Sequence, residues 1–233
     1  MSDTRERAPL GKPPEYYRGI NRDLLDLLPR KPTARVLEFG CAAGRLGEVL
    51  KQEGYAAEVV GVESTAAHEE ARRYLDVVHQ VDMETWEFPE SYRGYFGVLI
   101  FGDVLEHLRD PWKTLRRLAP LLRPGGLAVA SLPNVRYLGV VLPLLFCGRW
   151  TYVSSGVLDE THLRFFTRRS MRELFTKAGY EVEVLRPRRE LSGRGRAVGR
   201  LTRGLGAVEE LVTRQYVVRA RTRGEGPNGT RED

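Results

Sequence analysis

Cysteines and long apolar runs are scarce in this sequence. Its 233 residues include two cysteines, Cys41 and Cys147, which are too few for a disulfide framework and lack the spacing of a metal-binding pair. The longest apolar run, residues 137–147, is shorter than the roughly 20 residues that cross a bilayer, and Pro143 interrupts it. The first residues are charged and contain proline, unlike a signal peptide. We therefore expect a cytoplasmic protein without a transmembrane segment.

Positive charge is concentrated near the C-terminus. The net charge is +6, and the residues from Arg186 onward contain 12 arginines and 6 acidic residues, so the preceding part is neutral overall. Uniform basicity would indicate a nucleic-acid-binding protein, whereas a basic flank indicates either an anionic partner at that end or a solvated surface. The length suits one large domain. We predict an N-terminal arm and helix at 1–33, a main domain at 34–223 and a disordered tail at 224–233.

Short β-branched runs alternate with helical stretches along the main domain. Five runs read as strands: 35–39, 58–63, 76–81, 96–101 and 127–132. The stretches between them read as helices: 44–54, 65–75 and 110–126. A helix at 168–178, a strand at 180–187, a helix near 197–212 and a strand at 214–222 follow. Continuous apolar runs are typical of parallel strands buried on both faces, so the pattern predicts a doubly wound α/β fold.

A glycine-containing turn follows the first strand. In EFGCAAGRLG, Gly40 and Gly44 flank Ala42 and permit close approach of a ligand to the backbone. Glu63 ends the next strand, at about the 20-residue separation where an acid binds the hydroxyls of a ribose. The turn therefore predicts a site for a nucleotide-like group.

The residues within this turn do not fit a dinucleotide. The G-x-G-x-x-G pattern fails at Ala42 and at Arg45. Glu38, two residues before the first glycine, would repel a pyrophosphate at the helix N-terminus. A carboxylate there instead suits an ammonium and a sulfonium group, which indicates S-adenosylmethionine.

Several motifs together resemble one enzyme family. VLEFGCAAGRLG resembles motif I of the class I S-adenosylmethionine-dependent methyltransferases, with Ala42 in place of the middle glycine. FGDVLEHLRDP resembles the strand-4 motif of the ubiquinone-pathway-like members, and LLRPGGLAVASLPN resembles their strand-5 motif. The resemblance extends over residues 34–185. LPN, GRWTY and LDETHLRFFT further resemble members that accompany glycosyltransferases in bacterial polysaccharide and natural-product pathways.

The resemblance implies a fold and a set of cofactor-binding residues. The fold is a mostly parallel, seven-stranded Rossmann-like sheet with an antiparallel last strand and a lid insertion, residues 134–167, after strand 5. Glu63 would bind the ribose, Asp82 the adenine amino group and Met83 the adenine face. The full predicted set is Glu38, Gly40, Cys41, Ala42, Gly44, Glu63, Ser64, Asp82, Met83, Gly102 and Asp103.

Two histidines are the catalytic candidates. Methyl transfer to a hydroxyl needs alignment and a base, and active sites of open α/β sheets lie beyond the carboxyl ends of the strands. His107 follows strand 4 and meets that requirement, although it could equally pack a short helix. His162 lies in the lid insertion and is either a site residue or part of a helix entrance. The lid aromatics could exclude water from the acceptor.

The residues after strand 4 include candidate metal ligands, but we do not expect a metal site there. Asp103, Glu106 and His107 form D-x-x-E-H, similar to the E-x-x-E-H that binds a divalent metal in some RNA and quinol methyltransferases. Here the first acid is aspartate, and the remaining ligand would have to come from far away, with His162 as the candidate. Because this ligand set is incomplete, we predict no metal.

The favoured function is O-methylation of a small-molecule or sugar hydroxyl in glycan or natural-product biosynthesis. The expected partner is a small-molecule acceptor such as a sugar or glycosylated metabolite, with no nucleic acid and with a homodimer as a candidate assembly. Two alternatives stay open. The chain could methylate RNA or another nucleic acid through its arginine-rich flank, or it could bind S-adenosylmethionine as a non-catalytic partner subunit.

Overall fold

The computed structural model describes residues 19–32, 34–188 and 206–222. They contain a seven-stranded sheet with the order β3-β2-β1-β4-β5-β7-β6. Its strands are β1 Arg35–Phe39, β2 Glu58–Val62, β3 Val77–His79, β4 Phe96–Gly102, β5 Leu122–Pro133, β6 Tyr180–Pro187 and β7 Gln215–Thr222. Strands β1 to β5 pair in parallel, and β7 is antiparallel to β5 and β6. The predicted sheet with an antiparallel last strand is confirmed.

The helices of the described residues are short. They are α1 Arg22–Leu25, α2 Arg45–Gln52, α3 His68–Ala71, α4 Pro111–Leu118, α5 Leu138–Cys147, α6 Arg168–Lys177 and α7 Gly206–Val212. Two begin at the residues that local sequence signals predict. The Asp110 side chain accepts a hydrogen bond from the Lys113 N–H at 2.9 Å, and the Thr167 hydroxyl accepts one from the Ser170 N–H at 3.2 Å. None of the helices in the described ranges is long and apolar enough to cross a membrane.

Alternate residues of the central strands enter two apolar layers, one on each face of the sheet. Phe39 of β1 stacks on Phe101 of β4 with ring centroids 5.0 Å apart in one layer. Val36 and Ile100 belong to the other layer, together with Leu24 of α1. Burial on both faces explains why these strands read as continuous apolar runs. Polar groups are therefore concentrated beyond the strand ends.

Most predicted elements agree with the structure to within two residues at each end, but three described stretches differ more clearly. The helix predicted at 65–75 is limited to α3, because the next turn tightens to three-residue hydrogen bonds such as Arg73 N–H to Glu70 O. The strand predicted at 76–81 is limited to β3. Residues 123–126, predicted as the end of a helix and a turn, lie within β5. There the pairing of β4 with β5 shifts from Phe96–Leu122 to Val98–Leu127, and the additional residues of β5 form a β-bulge.

Some predicted boundaries lie outside the described residues. These are the arm at 1–18, residue 33, residues 189–205 and the tail at 223–233. The division of the chain into arm, main domain and tail stays a prediction.

Residues 134–167, the lid excursion, leave the sheet after β5 and return to it before α6. Its two ends meet where Asn134 bridges Phe166, and a second bridge joins Val153 to Asp159. The Asn134 amide donates to the carbonyl oxygens of Glu210 and Thr213, at 2.7 and 2.8 Å. These contacts fix the excursion beside the end of β5, which places it next to the carboxyl edge of the sheet.

Candidate active site

The turn after β1 has a left-handed backbone at three positions. Gly40, Ala42 and Gly44 have φ values of 64°, 49° and 76°. A Cβ at Gly40 would lie 2.6 Å from a Val104 methyl carbon, and one at Gly44 would lie 2.9 Å from the Ala71 Cα, so both glycines are required. Ala42 keeps the conformation of the glycine that it replaces, at a cost of roughly 1–2 kcal/mol.

The Glu63 carboxylate holds this turn in place. It lies at the end of β2, where it is buried, and Ser64 beside it is exposed. One oxygen accepts the Ala42 N–H at 2.9 Å, and the other accepts the Thr65 N–H at 2.8 Å. The bond to Ala42 offsets part of the backbone cost at that residue, because hydrogen bonds to a charged acceptor are strong.

Glu38 and Cys41 are buried behind the turn. One Glu38 carboxylate oxygen has no hydrogen-bond partner. Burial of the carboxyl group, and to a smaller extent the nearby Glu63 carboxylate, raises the pKa of Glu38 to about 8. A hydrogen bond from the Gly47 N–H acts in the opposite direction and lowers the pKa. Burial also raises the pKa of the Cys41 thiol, so this cysteine is a packing residue without thiolate character.

The two residues expected near the adenine follow β3 at the same edge of the sheet. Asp82 is exposed, and its Oδ1 accepts the Glu84 N–H at 2.8 Å. Met83 is buried, and its carbonyl oxygen accepts a hydrogen bond from the Arg117 guanidinium. Because β3 and β2 are neighbours, this segment lies beside the strand end that carries Glu63.

Asp103 is held at the end of β4, after Gly102, by two residues that the sequence did not single out. It has a left-handed φ of 55°. Its carboxylate accepts hydrogen bonds from the Ser131 hydroxyl, at 2.9 Å, and from the Gln215 amide. Burial raises its pKa. Ser131 stands out as a polar residue within an apolar strand, whereas no local signal connects Gln215 with this position.

The fold brings the two candidate histidines into contact. The ring centroids of His107 and His162 are 4.8 Å apart, and the rings are nearly perpendicular. The Nδ1 atom of His107 lies 3.1 Å from the Thr161 carbonyl oxygen, and the Nδ1 atom of His162 lies 3.1 Å from the Val157 carbonyl oxygen. These contacts place the ring proton of each neutral imidazole on Nδ1 and the lone pair on Nε2.

Glu106 completes a cluster with the two histidines. It is almost fully buried, its Oε2 has no hydrogen-bond partner, and its Oε1 lies 4.0 Å from His162 Nε2. Burial, with the nearby Asp103 and Asp159 carboxylates, raises its pKa well above the usual range. Glu106, His107 and His162 can offer ligand atoms within 4.8 Å of one another. The lid excursion returns to β4 and so brings His162, the candidate for a third ligand distant in sequence, beside Glu106 and His107.

Residues 14–185 match a family model described as a methyltransferase domain. That range contains the glycine turn, the acidic residues at the strand ends and both histidines. The chain belongs to the class I S-adenosylmethionine-dependent methyltransferases.

Similar proteins are methyltransferases as well. The ubiquinone biosynthesis O-methyltransferase of Ruegeria pomeroyi is 30% identical over 169 residues, which is 67% of this chain and 64% of that protein. The trans-aconitate 2-methyltransferase of Deinococcus radiodurans is 33% identical over 112 residues, 48% of this chain and 43% of that protein. The chain thus spans less than two thirds of the length of either. The structure of an S-adenosylmethionine-dependent methyltransferase from Mesorhizobium loti superposes with a TM-score of 0.61 at 16% identity, covering 88% and 99% of the two chains.

S-adenosylmethionine is the cofactor of this methyltransferase family, and the site fits its charges. The cofactor carries an ammonium and a sulfonium group, and the unpartnered buried oxygen of Glu38 lies beside the turn. A cation near this oxygen would compensate for the desolvation of the carboxylate. The roles of individual residues toward the cofactor stay predictions.

Cofactor affinity should depend on pH through Glu38. With a pKa of about 8, Glu38 is mostly protonated below that pH in the unliganded methyltransferase. A cationic ligand binds the ionised form, so binding releases a proton and affinity rises as pH rises toward 8. S-adenosylhomocysteine keeps the ammonium group of the cofactor. We expect its dissociation constant, measured by calorimetry, to fall about 20-fold between pH 6 and 7.5.

Two matched variants test whether Glu38 causes the pH dependence of cofactor affinity. Glu38→Gln should have a nearly flat profile, while Glu181→Gln, at an exposed position on β6, should behave like the wild type. A flat profile for the wild type would contradict the prediction.

Proposed function

We propose that this methyltransferase transfers a methyl group from S-adenosylmethionine to a hydroxyl of a small molecule, such as a sugar or glycosylated metabolite in glycan or natural-product biosynthesis. The observation that carries the proposal is the His107–His162 pair beyond the end of β4. Both Nδ1 atoms lie within hydrogen-bond distance of backbone carbonyl oxygens, so a neutral ring of this pair accepts a proton at Nε2. The O-methyltransferase name of the Ruegeria relative supports an oxygen acceptor.

In the proposed mechanism the protein mainly aligns the reactants. When bound, S-adenosylmethionine would supply an electrophilic methyl group for transfer to the acceptor oxygen, with S-adenosylhomocysteine as the leaving group. Glu63 would hold its ribose hydroxyls, Asp82 and Met83 would contact its adenine, and Glu38 would stabilise its cationic end. The proton of the acceptor hydroxyl would pass to an Nε2 of the histidine pair.

The lid excursion at 134–167 would cover the acceptor and keep water out. Trp150 and Phe165 pack edge to face with centroids 5.2 Å apart, and Phe166 is buried. His162 packs against Phe165 as well. An apolar cover of this kind favours transfer to the acceptor because competing solvent is excluded.

Three described arginines near the C-terminus are paired with acids, which argues against a nucleic-acid substrate at this end of the chain. Arg186 pairs with Asp23 at 2.9 Å, and Arg219 and Arg221 pair with Glu183 at 2.9 and 2.6 Å. These guanidinium groups therefore neutralise neighbouring carboxylates at the sheet edge. The remaining arginines at 189–205 lie outside the described residues.

A turnover assay tests the proposed function against its alternatives. Radiolabelled S-adenosylmethionine is incubated with the protein and a panel of sugars, glycosides and phenols, with RNA as a separate substrate. We expect label in a hydroxyl-bearing small molecule. Label in RNA, with strongly salt-dependent binding, would support a nucleic-acid methyltransferase. Cofactor binding with no transfer to any substrate would support a partner subunit. Sedimentation velocity tests whether the candidate homodimer forms.

Metal dependence is tested on the same assay. Divalent transition metals accept two imidazoles and a carboxylate as ligands. The alternative to proton transfer is therefore a metal site formed by Glu106, His107 and His162. We predict that activity persists after treatment with a chelator and gel filtration. Loss of activity that Mg²⁺ or Mn²⁺ restores, together with metal found by elemental analysis, would overturn this prediction. Both histidines would then be ligands instead of bases.

A further inference from the structure

A second concave site lies inside the lid excursion. It is a cavity of about 310 Å³ between the start of α5, the segment 149–158 and the residue before β7. That volume is at the lower end of the range for small-molecule pockets. Residues of very different character line it, including Tyr137, Val140, Arg149, Ser155, Val157 and Arg214.

Two guanidinium groups give the cavity a positive charge. Arg149 and Arg214 come from separate segments, and within the described part of the chain neither has a carboxylate in ion-pair distance. This differs from Arg136, Arg186 and Arg219, each of which pairs with an acid. Arg214 also lies over the Tyr137 ring, with its Cζ 5.6 Å from the centroid. Uncompensated cations in a concave wall attract anions.

Two walls of the cavity are linked to residues of the proposed reaction centre, one to His162 and the other to Asp103. The Val157 carbonyl oxygen, in one wall, lies 3.1 Å from Nδ1 of His162. Arg214, in another wall, precedes Gln215, whose amide donates to the Asp103 carboxylate. A molecule seated in the cavity would therefore lie against the residues that position His162 and Asp103.

We propose that the cavity binds an anionic oxygen group, either phosphate or carboxylate, of the methyl acceptor. Arg149 and Arg214 would bind this group, and the hydroxyls of Thr151 and Ser155 line the same cavity. The Tyr137 ring and Val140 offer an apolar surface to the body of the molecule. The inference rests on the proposed function, since it names the class of acceptor that the site selects.

Calorimetric titration of the protein saturated with S-adenosylhomocysteine tests the binding step. Inorganic pyrophosphate and citrate serve as the phosphate and carboxylate probes. We expect at least one to bind the wild type and to bind Arg149→Gln and Arg214→Gln roughly tenfold more weakly, since each loses a charge-assisted contact. Arg172→Gln, at an exposed position on α6, is the matched control and should bind like the wild type. The preferred probe identifies phosphate or carboxylate as the group.

Two results would overturn the inference. One is that neither anion binds the wild type, and the other is that the double variant Arg149→Gln/Arg214→Gln binds as well as Arg172→Gln. Arg149→Met and Arg214→Met, which keep an apolar stem and remove the charge, replace the glutamine variants if these fail to fold. Transfer to an anionic acceptor that is unaffected in the double variant would overturn the anionic acceptor site while leaving the proposed methyl transfer intact.

Discussion

Replacing His162 by alanine is expected to lower turnover by about 10²–10⁴ if its imidazole accepts the acceptor proton, and by less if it only orients the acceptor. Cofactor affinity should stay within about twofold of wild type, because the predicted cofactor contacts precede the lid in the chain. Steady-state kinetics gives the turnover number, and calorimetric titration with S-adenosylhomocysteine gives the affinity.

Three further variants make this result specific. His107→Ala, measured beside His162→Ala, shows which histidine carries the proton, because the base should cause the larger loss. His162→Asn keeps an N–H that can reach the Val157 carbonyl and removes the base, so it separates catalysis from folding. Leu163→Ala changes the exposed neighbouring residue and should leave turnover near wild type. Wild-type turnover in His162→Ala would restrict the site to the residues after β4.

Glu63→Ala should weaken S-adenosylmethionine binding by roughly 10- to 150-fold. Losing a hydrogen bond to a charged group typically costs about 1.5–3 kcal/mol, and Glu63 is the acid that we predict to bind both ribose hydroxyls. The carboxylate also holds the N–H groups of Ala42 and Thr65, so its loss releases the turn that faces the cofactor. Calorimetry with S-adenosylhomocysteine measures the change.

Two controls accompany the Glu63 variant. Glu181→Ala removes an exposed carboxylate from the outer strand β6 and should leave the affinity unchanged. NAD should show no binding, because a pyrophosphate brings negative charge toward the buried Glu38 and supplies no cation for its unpartnered oxygen. Unchanged affinity in Glu63→Ala, or tight NAD binding to the wild type, would refute the assigned cofactor site.

Local sequence determined much of the framework of this protein. Strand β1 was predicted with its observed bounds, Arg35–Phe39, because burial on both faces favours consecutive apolar residues such as Val36 and Leu37. The starts of α4 and α6 followed from Asp110 and Thr167, since capping depends on residues within one turn. The glycine turn and Glu63 were recognisable because their spacing reflects one strand–turn–helix unit.

Only the tertiary structure decided which groups meet at the candidate reaction centre. Glu106 and His162 come together because the lid excursion leaves the sheet after β5 and returns beside β4, a path that no local pattern encodes. The contact of Gln215 with Asp103 likewise depends on β7 pairing antiparallel to β5. Local propensity fixes single elements, whereas side chains distant in sequence are joined by strand order and by the paths of the connections.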